Sequence, residues 1–458
     1  MSRLSANRRD GRPGREYVAQ YDARHAAVAR TAGVTARPTA LRARLRRPGI
    51  GRSIAATVGY NVTMTVAGAL SGVIIARATG PALRGEYTAV TSWLGFTLML
   101  GELGLPIALT FYVAKDPSRA HSYVATASAM MLASCALAMV CGLALAPTLG
   151  RGQPGLTMAY RIVFICLPVS CIADSYTFAL MGRAIALWNR ARVSQPLVAI
   201  AAVIVLWRLR MLTLDGALLV LLGSLLVQIG WSYWGCRRAD LVPGPVSRGL
   251  MRPLASYGVT QIAAVAPQAV NAYLDQLVLS VTVPPADLGY YSIAVSITLL
   301  PGPLVSAIGY VLLPTLAAGK TDAVRVREIQ RKAVLVSLVL ASAILIPLAL
   351  AAPRLVPLVF GPAYRAAVPL VWILAPGGVF LSCGQMVANL LRGLNRQAVV
   401  ARAEGIAVVF TLVLLAALLP VLGVTGAAIA STVPYGISLL LMLRQLRLTP
   451  NGTSKGSP

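Results

Sequence analysis

Charged side chains are scarce in this chain of 458 residues, at 12%, which is about half their share in a soluble globular domain. Acidic residues are the rarest, 14 against 41 basic ones, and histidine occurs only twice. The six cysteines lie in or beside apolar segments, without the spacing of metal ligands. These shortages argue against a soluble domain, against a zinc or haem site and against catalysis by histidine.

Apolar residues, by contrast, make up 57% of the chain. They form twelve stretches, most of which supply the roughly 20 residues that cross about 30 Å of hydrocarbon as a helix. The stretches are 53–77, 87–113, 122–149, 158–181, 193–207, 215–235, 254–282, 288–317, 333–356, 366–390, 398–420 and 423–443. The sequence therefore predicts an all-α polytopic membrane protein with about 12 transmembrane helices.

The segment 81–87 occurs a second time at 285–291, with Pro, Ala, Gly and the second Tyr in register 204 residues later. Three further landmarks recur in the same order at offsets of 205 to 210 residues. They are Lys115 with Lys320, Asn189-Arg190 with Asn395-Arg396, and Gly216-Ala217 with Gly426-Ala427. An internal repeat of about 200 residues, with six apolar stretches in each copy, predicts two lobes related by a pseudo-two-fold axis along the membrane normal.

The repeat and the composition divide the chain into five regions. They are a disordered basic tail (1–52), an N-terminal six-helix lobe (53–236), a linker (237–252), a C-terminal six-helix lobe (253–447) and a short tail (448–458). The first tail holds 13 Arg against three acids, which is typical of a topology anchor; a regulatory or partner-binding arm is the alternative.

Basic residues also predict the orientation. With the N-terminus inside, 33 of the 41 Lys and Arg fall on cytoplasmic segments and eight on outer ones. The sequence thus predicts a multi-pass protein of the bacterial cytoplasmic membrane with both termini in the cytoplasm. The positive charge indicates topology and contact with anionic membrane lipids, and it argues against nucleic acid as a partner.

Two stretches are interrupted at corresponding positions of the two halves. Gly101, Gly104 and Pro106 break the second stretch, and Pro301 and Pro303 break the eighth. Broken helices need other helices or a wet cavity to satisfy their backbone groups, and paired breaks are typical of a transporter's binding region. We predict hinges there; kinks that only shape helix packing are the alternative.

Three acids are expected well inside the hydrocarbon: Glu102, Asp174 and Asp275. Each is a candidate for coupling to an ion, because a charge there is costly unless it is paired or hydrated. Asp275 also ends a polar row on the seventh stretch. The row is Gln261, Gln268, Asn271 and Asp275, at spacings that share one helix face. This face predicts a lined cavity, with a hydrogen-bonded seam between helices as the alternative.

The first stretch carries Asn61, which we predict to line the cavity, and Gly68-x-x-x-Gly72, which predicts close helix packing. Arg77, at the end of this stretch, is a candidate for holding a phosphate through forked hydrogen bonds. Extension of its side chain to the lipid headgroups is the alternative.

Several segments resemble the bacterial polysaccharide flippases of the multidrug/oligosaccharidyl-lipid/polysaccharide exporter superfamily. They are Ala76-Arg77-Ala78-Thr79-Gly80-Pro81 with Gly85 and Tyr87, Leu274-Asp275-Gln276-Leu277 with Gly289-Tyr290-Tyr291, Phe360-Gly361-Pro362-Ala363-Tyr364, and Gly423-Val424-Thr425-Gly426-Ala427-Ala428. The resemblance covers about 53–445 and is diffuse.

The resemblance implies a twelve-helix, two-lobed transporter that works by alternating access. The implied cargo is an oligosaccharide on polyprenyl pyrophosphate, flipped to the outer leaflet for surface polysaccharide or cell-wall biosynthesis. Twelve helices favour a polysaccharide unit over lipid II, whose flippases typically have fourteen.

The implied protein is not an enzyme, has no cofactor, and couples to H⁺ or Na⁺ or to the membrane potential. Its partners are the lipid-linked oligosaccharide, membrane lipids and polysaccharide-assembly proteins. Family cavities are often cationic, yet no Arg or Lys is placed mid-membrane by this sequence.

Three other functions remain open. A cation-coupled small-molecule exporter of the multidrug type shares the two-lobe plan and also uses acids in the membrane. A membrane glycan polymerase or ligase is remote, because the predicted outer connections are short and hold few acids: Glu86, Asp215 and Asp287. An assembly scaffold within a glycan-export complex would not need paired helix breaks.

Overall fold

The computed structural model describes residues 50–306, 323–394 and 396–447, and within them the chain is helical and without strands. The predictions for the two tails lie almost entirely outside the described residues. The helices are α1 (Ile50–Glu102), α2 (Leu105–Lys115), α3 (Ala120–Leu149), α4 (Pro154–Arg183), α5 (Ile185–Arg208), α6 (Leu214–Arg238), α7 (Arg248–Thr282), α8 (Pro285–Thr298), α9 (Ala323–Phe360), α10 (Val368–Gly393) and α11 (Gln397–Arg447), with 3₁₀ turns at Pro117–Arg119 and Pro362–Ala367.

Two helices each consist of two arms joined by a sharp kink at a glycine. Gly80 in α1 has φ 78° and Gly423 in α11 has φ 57°, a region that glycine enters without steric penalty. In the described part of the chain, nine helices are long and apolar enough to span a membrane. Counting both arms of the two bent helices, and α7, gives twelve crossings, as predicted. Helix α7 is long enough to span a membrane, at 35 residues, but it is not among the nine because its polar residues lower its mean hydropathy.

The helix ends define two faces of the molecule. The Pro81 face carries the connections at 80–81, 150–153, 209–213, 283–284 and 361–367. The linker face carries those at 116–119, 184, 239–247 and 394–396. The connection 239–247 is shorter than the predicted linker, because α6 and α7 extend into it. It lies along α3, where Gly244 donates its N–H to the His121 carbonyl at 3.0 Å.

Helices α1–α6 form the N-terminal lobe and α7–α11 the C-terminal lobe, which belong to one unit from Ser53 onward. The largest buried cluster joins both lobes, with Phe164 of α4 and Tyr291 of α8 among its members. The cluster around Leu109 lies mostly in the N-terminal lobe but includes Leu250 and Leu254 of α7, and the cluster around Met386 lies in the C-terminal lobe. Within a membrane such packing stabilises through van der Waals contact rather than through removal from water. Two of the three clusters therefore contain residues of both lobes.

Both predicted helix breaks are present. α1 ends at Glu102, Leu103 and Gly104 have φ 52° and 69°, and Pro106 lies in the first turn of α2, where its missing N–H costs nothing. A β-carbon on Gly104 would lie 2.3 Å from the Gly258 carbonyl oxygen of α7, so the break contacts the other lobe closely. In the C-terminal lobe, α8 ends at Thr298 and the helix resumes at 302. Hinge motion at these breaks stays a prediction.

Candidate functional site

The repeated segment forms the closest contact between the lobes. A β-carbon on Gly85 would lie 1.6 Å from the carbonyl oxygen of Pro285, and one on Gly289 would lie 2.0 Å from that of Pro81. The contact is reciprocal, because each copy presents its glycine to the proline of the other, as in a two-fold interface. Only glycine allows backbones to approach this closely. The internal repeat therefore closes the lobes against each other at the Pro81 face.

Two arginines reinforce this closure. Arg77 of α1 donates to the Leu358 carbonyl oxygen at the end of α9, at 2.9 Å. Arg151 donates to the Val283 carbonyl oxygen beyond the end of α7, at 2.8 Å. Carbonyl groups at helix C-termini lack helical partners and carry partial negative charge, which suits a guanidinium. The structure thus places Arg77, a predicted cavity residue, at the inter-lobe contact of the Pro81 face.

A cavity of about 330 Å³ lies inside the C-terminal lobe, between α7, α8, α10 and α11. Asp275 is buried in its wall and accepts three hydrogen bonds. The donors are the Tyr291 hydroxyl, the Ser431 hydroxyl at 3.1 Å and the Gln276 N–H at 2.7 Å. Its charge is held by protein groups from three helices, so the carboxylate is built into the lobe.

The remaining polar row of α7 reaches the same cavity in part. Gln268 and Asn271 line it, and Gln261 is absent from its wall. Asn271 accepts from Thr411 at 2.9 Å, while its own amide nitrogen is buried without a partner among the described residues. Gln268 accepts from Arg392 at 2.8 Å. The structure therefore combines both readings of the row, a cavity wall and a seam of hydrogen bonds.

Glu404 of α11 also lines this cavity and is buried, 7% exposed, accepting from Ser438 at 3.0 Å. Glu404 is thus a fourth buried acid candidate, which the sequence analysis did not include. Glu404 lies two turns from the start of α11, and sequence alone places such a residue near the headgroups. Its burial comes from the packing of α10 and α11.

A second cavity, of about 500 Å³, lies in the N-terminal lobe between α1, α4, α5 and α6. Asp174 and Arg192 are among its polar wall residues, with Gln195 and Gln228. Glu102, at the end of α1, does not line the cavity, and one of its carboxyl oxygens is buried without a hydrogen-bond partner among the described residues. The coupling role of both acids stays a prediction.

The two cavities occupy equivalent positions in the repeat. Wall residues of the two cavities correspond in the repeat. The pairs are Tyr87 with Tyr291, Thr91 with Val295 and Leu94 with Thr298 (204 residues apart), and Leu221 with Ser431 and Leu225 with Tyr435 (210 residues apart). One pocket has been duplicated with the fold, and its polar groups differ between the copies.

Arg84 lies in the repeated segment, in the second arm of α1. Its Nε atom is buried and has no hydrogen-bond partner within the described ranges. The guanidinium stands over Gly72, whose β-carbon would lie 3.8 Å from it. Sequence reasoning missed this cation, because the apolar stretch begins at residue 87 whereas the helical arm begins directly after Gly80. Arg84 lies in the first turn of this arm, so it is a cation close to the Pro81 face.

Asn61, the last predicted cavity residue, is half-buried in the first arm of α1. Its side-chain oxygen is buried and unpartnered in the part of the chain that the structure describes. It lines neither lobe cavity. Its role stays a prediction.

Solved structures share this fold at low sequence identity. The lipid II flippase MurJ, in an inward closed conformation, has a TM-score of 0.71 at 10% identity, covering 86% of this chain and 88% of its own. An inward-facing multidrug resistance MATE family transporter of the MOP superfamily has a TM-score of 0.65 at 15% identity, covering 84% of this chain and 94% of its own. These likenesses confirm the two-lobe fold alone.

Two curated relatives match part of the chain. An uncharacterized membrane protein of Methanocaldococcus jannaschii is 27% identical over 202 residues, 43% of this chain and 39% of the relative. The probable low-salt glycan biosynthesis flippase Agl15 of Haloferax volcanii is 21% identical over 172 residues, 37% of this chain and 36% of the relative. The chain therefore matches less than half the length of these relatives.

The family model described as "polysaccharide biosynthesis protein" matches residues 50–320, more than half of the chain. The matched region contains the N-terminal cavity, Arg84 and Asp275. With the relatives and the shared fold, this match confirms the resemblance drawn from the sequence. The chain belongs to the polysaccharide biosynthesis protein family.

Proposed function

We propose that this protein is a flippase that carries an oligosaccharide linked to polyprenyl pyrophosphate across the cytoplasmic membrane, by alternating access of its two lobes. The coarser statement, a membrane flippase or exporter, is supported by family and fold together. The observation that carries the finer one is Arg84, a half-buried arginine at the boundary between the lobes whose buried Nε has no hydrogen-bond partner among the described residues.

The buried Nε of Arg84 requires an acceptor. A buried donor left without a partner costs about 1–3 kcal/mol, and more when it belongs to a charged group. A pyrophosphate would satisfy the guanidinium through two parallel hydrogen bonds. Because Gly72 has no side chain, the space over the guanidinium stays open for such a group.

The sugar would lie in the N-terminal cavity. Arg84 lines a smaller cavity of about 310 Å³ that shares Tyr87, Gln195 and Leu221 with it. A phosphate at Arg84 therefore leaves an attached sugar within reach of amide side chains, which donate and accept as sugar hydroxyls require. Flipping breaks no covalent bond, so the proposed mechanism uses no nucleophile and no cofactor.

Energy would enter through the buried acids. Asp275 and Glu404 in one cavity suit a bound cation, and Asp174 in the other suits a proton. We propose H⁺ or Na⁺ as the coupling ion. With the predicted orientation, the Pro81 face is outside and is closed in this structure, and outward opening would separate the reciprocal glycine contacts.

The first test is a deletion strain. We expect lipid-linked intermediate to accumulate in the cytoplasmic leaflet and the surface glycan to be lost, with rescue by the wild-type gene and no rescue by a related drug exporter. Lipid-linked glycan, measured by mass spectrometry, reports the first effect and surface staining the second. Unchanged glycan would contradict the proposal.

A small-molecule exporter is the second candidate, favoured by the two acids in the C-terminal cavity, which could bind an organic cation. In the same strain, altered sensitivity to cationic drugs together with normal glycan would establish this function instead.

A further inference from the structure

A groove of about 680 Å³ lies at the linker face of the C-terminal lobe, between the start of α9 and the end of α11. Both helices pack against α10, which supplies much of the core cluster around Met386. Val334, Leu443 and Leu446 line the groove and also belong to this cluster or pack against it. The core of the lobe therefore holds the groove wall in place.

The wall changes from polar to apolar along one face of α9, because its residues recur at spacings of three and four. The helix rises about 10 Å between Arg331, at the polar end, and Leu338, at the apolar end. In chain order, the wall residues of α9 are Arg327, Gln330, Arg331, Val334, Leu335 and Leu338.

This change coincides with the entry of α9 into the hydrocarbon. The apolar stretch of the helix begins at 333, directly after the basic residues. Leu335 and Leu338 are 55% and 43% exposed, so the apolar end of the groove faces the acyl chains of the membrane. With the predicted orientation, the linker face is cytoplasmic. The cationic end then lies among the headgroups of the cytoplasmic leaflet, which carries a negative surface potential.

A glycerophospholipid has the same arrangement, since its phosphate lies directly above its acyl chains. Arg327 and Arg331 are one helical turn apart on one face, so both guanidinium groups can contact a single phosphodiester. The segments of this chain that precede α9 and follow α11 match the groove less well. Residues 307–322 contain one acid and one lysine, and 448–458 contain one lysine and no acid. Charge complementarity therefore favours an anionic lipid over a segment of this chain.

We propose that this groove binds an anionic phospholipid of the cytoplasmic leaflet, with the phosphate on Arg327 and Arg331 and one acyl chain along Leu335 and Leu338. The bound lipid links the ends of α9 and α11 and so stabilises the C-terminal lobe. The site lies within one lobe and uses no residue of the proposed cargo site. It therefore stands whether or not the protein is a flippase.

The test is photo-crosslinking of the full-length protein in nanodiscs of phosphatidylcholine. The probe is phosphatidylglycerol with a diazirine near the carboxyl end of one acyl chain, and labelled peptides are identified by mass spectrometry. We expect labels on 334–338 and 439–446. Phosphatidylethanolamine with the same diazirine has the same phosphate but no net charge, and it should label these peptides about tenfold less.

Two variants test the two ends of the groove, each with a matched control. Arg331→Gln should reduce labelling about fivefold, whereas Arg444→Gln should not, because Arg444 is exposed at the same face but absent from the groove wall. Leu338→Trp should also reduce labelling, because it fills the apolar end without changing charge. Leu350→Trp, further along α9 and 78% exposed, should label like the wild type.

Three results would overturn the proposal. They are equal labelling by the two lipids, equal labelling of Arg331→Gln and Arg444→Gln, and the absence of label from 334–338, which would leave the groove to a segment of this chain. A thermal melting curve of each variant separates loss of binding from loss of fold.

Discussion

The two lobes contain the same pocket with different charges. Asp275 of the C-terminal pocket corresponds, 204 residues earlier, to Ser71, and Arg84 of the N-terminal lobe corresponds to Leu288. The acid of one repeat is thus a hydroxyl in the other, and the arginine of one is a buried leucine in the other. Duplication supplied two similar cavities, and substitution gave them different charged groups: Asp275 and Glu404 in the C-terminal cavity, and Asp174 and Arg192 in the N-terminal one, with Arg84 in the smaller cavity beside it.

The wall tyrosines show how the difference is built. Tyr291 donates its hydroxyl to Asp275, which holds the acid in place. Its counterpart Tyr87 lies with its ring centroid 5.9 Å from the Arg84 guanidinium, within the range of a cation–π contact. The same side chain at the same repeat position therefore supports opposite charges. This division of work would let one lobe hold the cargo while the other responds to the ion.

The largest effect is expected when Arg84 is given its counterpart's side chain. Arg84→Leu should reduce flipping of lipid-linked oligosaccharide in proteoliposomes by about 100-fold or more, because a lost charged hydrogen-bond pair costs several kcal/mol. Arg84→Lys should keep part of the rate, since a lysine supplies charge without the fork. The control is Arg161→Leu on exposed α4 surface. A near-normal rate for Arg84→Leu would remove Arg84 from the cargo site.

An intermediate effect is expected at the reciprocal contact. Gly85→Ala and Gly289→Ala should each slow transport about tenfold, because the added methyl group pushes the lobes apart at the Pro81 face. Gly223→Ala on α6, where a β-carbon has open space, should leave it unchanged. Proteoliposome flux measures all three. If only one of the two glycine variants has an effect, the contact does not act as a symmetric pair.

The smallest effect on cargo is expected at Asp275. Asp275→Ser, the N-terminal lobe's residue, should slow flux only about threefold without an ion gradient and remove its stimulation by one. The reason is that Asp275 contacts protein donors of its own lobe rather than the proposed phosphate. Flux with and without H⁺ and Na⁺ gradients measures this. A gradient response equal to that of wild type would show that Asp275 does not couple transport to the ion.

The fold was predictable because its signals are long. Twelve apolar stretches and a 204-residue repeat can be recognised even when each helix end is misplaced by a few residues. The spacing of Asn271 and Asp275 places both side chains on the same helix face without a structure. Arg84 and Glu404 were missed because both lie near the ends of apolar stretches, where sequence indicates headgroups and only packing reveals burial. Gly68 was misread because its pattern indicates a partner helix, and here the partner position is open.

The most direct measurement is the affinity of purified protein for polyprenyl pyrophosphate oligosaccharide, compared between Arg84→Leu and Asp275→Ser in nanodiscs. The account predicts that Arg84→Leu weakens binding about 100-fold and that Asp275→Ser binds within about threefold of wild type. Equal weakening in both variants, or weakening at Asp275 alone, would contradict the division of cargo and ion between the lobes.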